Sequence, residues 1–190
     1  MKINYKNINI TSIAICLIPL LVPSFSLINA AISIISLAIV HLIFTVVWQY
    51  IYKFFKDKSF CNLLMIGLPI IILSLLSVCF SLIFNRFSDY MTNLVPYIAV
   101  SEILIIMLLY TVHTDIKTNL KDYFFLMIKF AVFLLPIGFL RELVGLVCIL
   151  GIKLPALNFK GIGFFQHTAG GILLLGILSA VFSWYVNKKE

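Results

Sequence analysis

The sequence predicts an all-α, polytopic membrane protein with six transmembrane helices. Three observations predict it. First, 63% of the 190 residues are apolar and 11% are charged, with a mean hydropathy of +1.15. An ordinary soluble domain is roughly half apolar and about a quarter charged. Second, the apolar residues fall into runs close to the ~20 residues a helix needs to cross a hydrocarbon core of about 30 Å. Third, the density of basic residues alternates from one inter-run turn to the next, as membrane orientation requires. Six spans joined by short turns fill the length, so residues 1–190 form a single membrane domain. The same figures exclude disorder, which needs low hydrophobicity and high net charge.

The first span covers about Ile8 to Leu27 and contains Pro19 and Pro23. Proline inside a helix removes a hydrogen bond and clashes with the carbonyl four residues back, so this span is expected to break. A broken backbone survives in lipid only where protein buries it or water reaches it. The second span runs from Ala31 to about Phe54 and ends in an interfacial belt of Trp48, Tyr50 and Tyr52. The third runs from about Asn62 to Phe84, with Pro69 in its first half. The fourth, about Tyr90 to Val112, carries Pro96 as an expected helix break. The fifth begins after Asp122, includes Pro136 and ends between Glu142 and Ile149. The sixth covers about Gly170 to Val186.

The net charge of +7 and the pI of about 9.3 come from residues in the turns. Lys2, Lys6, Lys53, Lys56, Lys58, Lys117, Lys121, Lys188 and Lys189 fall on one side of the six-span plan. Arg86, Lys153 and Lys160 fall on the other. The positive-inside rule then places both termini in the cytoplasm. No basic stripe lies outside the turns, so nucleic acid is not an expected partner; membrane lipid is. Residues 1–30 have the outline of a secretory signal peptide, but the in-span prolines and the continuing apolar chain favour a retained helix.

The chain also suggests a duplication. Pro19 and the turn Ser26-Leu27-Ile28-Asn29 precede the long second span; Pro96 and the turn Asn119-Leu120-Lys121-Asp122 precede the long fifth. Halves of about 1–86 and 87–190, with three spans each, would face opposite ways. That is the inverted-repeat plan, in which broken helices meet near the midplane to form the site.

Glu102 is the sharpest candidate for chemistry. It lies mid-span, six residues after Pro96 and just before Ile103-Leu104-Ile105-Ile106. A carboxylate there costs about 2.5–3.5 kcal/mol on insertion scales, so it must face protein or water, either as a group that exchanges a proton or accepts a cation, or as a protonated acid bonded to a neighbouring helix with no transport role. Arg141 and Glu142 are adjacent near the outer end of span five. They read either as a gate or partner anchor, or as a snorkelling pair that stops the helix at the interface. Lys129 is placed to snorkel to the cytoplasmic face. His41, inside span two, reads as a hydrogen-bonded packing residue, with proton relay or metal binding as the alternative; His113 and His167 lie near span ends. The histidines and the scattered Cys16, Cys61, Cys79 and Cys148 have no zinc spacing and no C-x-x-C pair, so no metal site is expected.

Several pieces resemble the six-helix membrane subunits of the Rnf and sodium-pumping Nqr electron-transport complexes (the RnfA/RnfE and NqrD/NqrE type). Leu17-Ile18-Pro19-Leu20-Leu21 stands where that family has L-C-P-L-L, and Ser26-Leu27-Ile28-Asn29-Ala30 is similar to its S-L-x-N-A. Pro96-Tyr97-Ile98-Ala99-Val100-Ser101-Glu102 stands where it has P-L-I-x-x-N-C. Arg141-Glu142-Leu143-Val144-Gly145 matches R-E-x-x-G, and Gly170-Gly171-Ile172-Leu173-Leu174-Leu175-Gly176 is similar to G-A-F-x-x-L-G. The resemblance implies ion translocation coupled to electron transport, beside a second six-helix homologous subunit and other membrane subunits. It also implies an iron–sulfur cluster held by one cysteine of span one and one of span four from each subunit. Those positions are Ile18 and Glu102 here, and clusters need thiolates, so no cluster is expected on this chain. The alternative is a small-solute transporter or substrate-binding membrane component that uses Glu102 and the broken helices.

Overall fold

The computed structural model describes residues 10–54, 67–75, 78, 88–108, 116–153 and 161–188. The turn lysines Lys2, Lys6, Lys56, Lys58, Lys160 and Lys189, together with Arg86, His113, Cys61 and Cys79, lie outside the described residues.

The chain folds as helices packed side by side. The first, α1, is Ile10–Leu17; α2 is Leu27–Phe54; residues 67–75 form α3. Then follow α4, Ser88–Leu108; α5, Ile116–Arg141; and α6, Thr168–Asn187. Among the described residues, three stretches, Leu27–Ile51, Leu120–Leu146 and Thr168–Tyr185, are long and apolar enough to cross a bilayer; Asn93–Leu108 is a shorter apolar helix. The protein is therefore an all-α membrane protein.

The first apolar run is not one continuous helix. α1 stops at Leu17, Pro19 opens a 3-10 turn over Pro19–Leu21, and the chain stays irregular until α2 begins at Leu27. Pro19 is well suited to the first position of a turn, where its missing N–H is not needed. Pro96 behaves differently from the expectation of a break: α4 runs through it, as α5 runs through Pro136. Both rings point outward. Flanking helical bonds and packing carry a membrane helix through the loss of one hydrogen bond. α5 also starts earlier than expected, because Lys117, Lys121 and Asp122 are helix-compatible residues that extend its first turns.

α5 gives way at Glu142–Leu146 to a π-helical turn, whose last residue is followed by Val147 in the left-handed region at φ 55°. A short antiparallel hairpin follows, Cys148–Ile149 (β1) paired with Ile152–Lys153 (β2). Leu150 and Gly151 form its turn with φ of 52° and 77°, as a two-residue hairpin turn with two left-handed residues requires. A 3-10 turn over Gly163–Gln166 leads into α6.

The core lies between α2 and α5, the most extensively packed pair, with α1 and α4 against them. Phe44, Trp48, Phe130, Leu134 and Ile137 are buried there, alongside Leu17, Leu20 and Leu21 from the first segment. Gly138 permits the contact: a Cβ there would lie 2.7 Å from the Ala30 Cβ and 2.9 Å from the Ser26 carbonyl oxygen. α6 presents Ile172, Leu173, Ile177, Val181, Trp184 and Tyr185 outward, as a lipid-facing helix does.

Candidate functional site

Nine polar or charged residues are buried among the described residues, and most fall into two groups. The first is built on α2, α4 and α5. His41 from α2 and Glu102 from α4 meet with Nδ1 and Oε1 2.6 Å apart, at 2% and 0% exposure. Tyr123 from α5 stacks on the imidazole at a centroid distance of 5.6 Å, and Phe44, one helical turn along α2, stacks at 6.2 Å. The Tyr123 hydroxyl donates to the Ala38 carbonyl at 2.9 Å, which fixes the ring against α2. Glu102 Oε2 and the neighbouring Ser101 hydroxyl are buried without a hydrogen-bond partner. The α1 cysteine Cys16 is buried near this carboxyl.

The chemistry of the pair follows from its proton count. With one fewer proton it is a neutral imidazole whose Nδ1–H donates to a carboxylate, and the site carries one negative charge. With one more it is neutral overall, as imidazolium–carboxylate or imidazole–carboxylic acid. A buried site that holds no net charge in one state and one charge in the other is suited to taking up and releasing a proton or a monovalent cation.

The second group lies where the α1–α2 break meets the end of α5. Arg141 is 1% exposed and uses its guanidinium entirely on backbone carbonyls. Its terminal nitrogens donate to Leu21 and, at 3.0 Å, to Ser24, and to Gln166 at 2.8 Å; Nε donates to Phe165 at 2.9 Å. Glu142, 2% exposed, accepts from the Leu27 N–H at 2.9 Å through Oε2 and from the Gly151 N–H at 2.7 Å through Oε1. Ser26 adds a local cap, its Oγ accepting from the Asn29 N–H at 3.2 Å. α2 has no acidic residue of its own in the first turn, so Glu142 supplies the negative charge its N-terminus favours. Gly171 leaves room for the guanidinium; a Cβ there would stand 3.2 Å from it. The loop is closed by Gln166 Nε2 donating to the Gly145 carbonyl at 2.8 Å and Ile162 N–H donating to Val144 at 3.0 Å.

This corrects the expectation of a snorkelling pair at the interface. Arg141 and Glu142 are interior groups that satisfy unwound backbone. Their hydrogen-bonding capacity is committed to that task, and no ion pair or hydrogen bond connects them to Glu102 among the described residues. Of the three expected ion-coupling candidates, Glu102 stands apart from the other two. His41, expected as a hydrogen-bonded packing residue, is its partner, and Tyr123 was not singled out by sequence at all; the i−3 spacing of Ala38 and His41 carries no signal for either. Lys129 is half-buried on α5, and His167 is exposed just before α6.

The two positions where the family resemblance implies iron–sulfur ligands do not fit such a centre. The Ile18 side chain is a hydrocarbon, 40% exposed on the turn, and the Glu102 carboxylate is committed to His41. No group of three His, Cys, Asp or Glu side chains placed to hold a metal occurs among the described residues. The chain matches no family model, no curated protein and no solved structure.

Proposed function

We propose that this chain is a membrane subunit of the Rnf/Nqr type that contributes ion movement, not electron carriage, with His41 and Glu102 as the exchanging pair. The carrying observation is the 2.6 Å imidazole–carboxyl contact, fully buried, with the second carboxyl oxygen unpartnered. Insertion of an acid at this depth is costly, and such residues characteristically mark ion pathways. The reading includes six crossings of a bacterial inner membrane, with both termini cytoplasmic. It places residues 1–86 and 87–190 in inverted orientation. A second six-helix homologous subunit is the proposed partner, and this chain binds no cluster of its own.

The test is infrared spectroscopy of the reconstituted protein. A carboxyl band that shifts on exchange into D₂O and disappears in Glu102→Gln is expected. A band that never changes overturns the ion-exchange role. Purification from the native membrane without a homologous subunit overturns the subunit assignment.

The unpartnered Ser101 and Glu102 oxygens favour a second reading, a small-solute site between α2 and α4. Its signature is ligand-dependent thermal stabilisation that is lost in Glu102→Gln.

A further inference from the structure

The buried polar residues of α2 are not distributed symmetrically about His41. Thr45 and Gln49 follow it at steps of four residues, 2% and 7% exposed, on the same helix face. Each step advances about 6 Å toward the C-terminal end of α2. Thr45 donates its hydroxyl proton to the His41 carbonyl at 2.7 Å, which leaves its oxygen lone pairs open. Gln49 Nε2 is buried without a hydrogen-bond partner, as are the Ser101 hydroxyl and Glu102 Oε2. Buried polar atoms left unsatisfied by protein are the usual partners of internal water. Phe44 and Trp48, stacked at 6.0 Å, form the adjacent aromatic stripe.

In the other direction along α2, no described residue leaves a buried polar side-chain atom without a partner. One turn back from His41 stands Leu37, fully buried. Beyond it the Ser33 hydroxyl makes the same kind of bond as Thr45, to the Asn29 carbonyl at 2.8 Å, but about two turns from His41 with Leu37 between them, and then the backbone is held by Glu142 and Arg141. The other titratable groups around the pair are Cys16 from α1 and Tyr123 from α5. The Tyr123 hydroxyl is engaged on Ala38, and Cys16 is fully buried.

We infer that protons reach the His41–Glu102 pair from one side only, through water ordered by Thr45 and Gln49 on the C-terminal half of α2, with Leu37 as the barrier on the other. The inference rests on the exchanging role proposed for the pair. It gives that pair a direction, which the pair alone lacks: exchange occurs with the compartment at the C-terminal end of α2 while the opposite face stays sealed.

The experiment follows the deuteration of the Glu102 carboxyl band by infrared spectroscopy after transfer of the reconstituted full chain to D₂O. Thr45→Val and Gln49→Met preserve shape and remove the polar groups. Each is expected to slow exchange roughly tenfold, the scale of one lost hydrogen-bonded step, while Ser33→Ala exchanges at the wild-type rate. Wild-type rates in both Thr45→Val and Gln49→Met overturn the route, and so does equal slowing in Ser33→Ala. Should Gln49→Met lose its helical circular dichroism, Thr45→Val alone decides. A wild-type protein whose Glu102 band never exchanges its proton overturns the role of the pair itself, and a route-specific failure leaves that exchange intact.

Discussion

Arg141 and Glu142 are sequence neighbours that bind opposite ends of one break: the guanidinium takes the Leu21 and Ser24 carbonyls where the first segment ends, and the carboxylate takes the Leu27 N–H where α2 begins. Each charge meets the backbone dipole it complements, positive on terminal carbonyls and negative on a terminal amide. The two residues thus replace the hydrogen bonds that the helix loses between Leu17 and Leu27. In lipid, where no bulk water is present to do so, that replacement is what permits the break.

Removing the guanidinium leaves buried carbonyls with no donor. Arg141→Ala is expected to destabilise the protein by about 3–5 kcal/mol, the range for stripping one side of a buried charged network. Arg141→Lys recovers only part, because an ammonium does not reach carbonyls on both the α1–α2 break and the α6 loop in the guanidinium's planar fork. Glu142→Gln keeps one acceptor and is expected to cost about 1–2 kcal/mol. Unfolding titrations in mixed micelles measure all three, and an Arg141→Ala protein as stable as wild type refutes the clamp.

The helical class, the break after Leu17 and the end of α5 near Glu142 were legible in sequence, because apolar run length and proline chemistry act locally. Pro96 was misread by the same local rule: α4 continues through it, held by neighbouring turns and helices that no single-residue rule describes. The burial of Glu102 followed from its apolar flanks, but its partner did not. His41 lies 61 residues away in sequence, and a histidine in an apolar run looks alike whether it packs or pairs. Arg141 and Glu142 were visible as charges near a span end, yet their targets are backbone groups of Leu21, Leu27, Gly151 and Phe165, which carry no side-chain signature.

The His41–Glu102 contact predicts strong coupling in a double-mutant cycle. His41→Leu or Glu102→Leu alone strands a buried polar partner and is expected to cost about 3–5 kcal/mol. The double variant is expected to be close to wild-type stability, since two apolar side chains of similar size bury well. Single losses that simply add in the double variant would show that the two groups act separately.

Tyr123 holds the imidazole from the α5 side. Tyr123→Phe keeps the stacked ring and removes only the bond to Ala38, so a loss of about 1 kcal/mol is expected. Tyr123→Leu removes the stack as well and is expected to cost more. Thermal melts in detergent distinguish them; equal losses mean that the hydroxyl contributes everything and the ring nothing.

Iron content tests the exclusion of a cluster from this chain. With Ile18 and Glu102 at the positions where the resemblance implies thiolates, protein purified without air is expected to contain far less than one iron per chain. Metal analysis with visible absorption measures it. Stoichiometric iron with a charge-transfer spectrum, retained in a Cys16→Ser variant or lost from it, contradicts the expectation either way.

Gly138 sets how closely α5 approaches the start of α2, and so whether Glu142 reaches the Leu27 N–H one helical turn farther along. A methyl group at 138 would meet the Ala30 Cβ at 2.7 Å and the Ser26 carbonyl oxygen at 2.9 Å, and one of these is backbone that does not swing aside. The helices must then separate, which lengthens the 2.9 Å bond from Leu27 to Glu142 as well as loosening the seam. Gly138→Ala is therefore expected to destabilise by about 1–3 kcal/mol, despite the higher helix propensity of alanine. Gly176→Ala is the control, because nothing lies within 4 Å of a Cβ built there. It is expected to be neutral or stabilising by up to about 1 kcal/mol. Pairing Gly138→Ala with Glu142→Gln then separates the two effects: a sub-additive loss means that the glycine acts through the clamp, and full additivity means that it acts through packing alone.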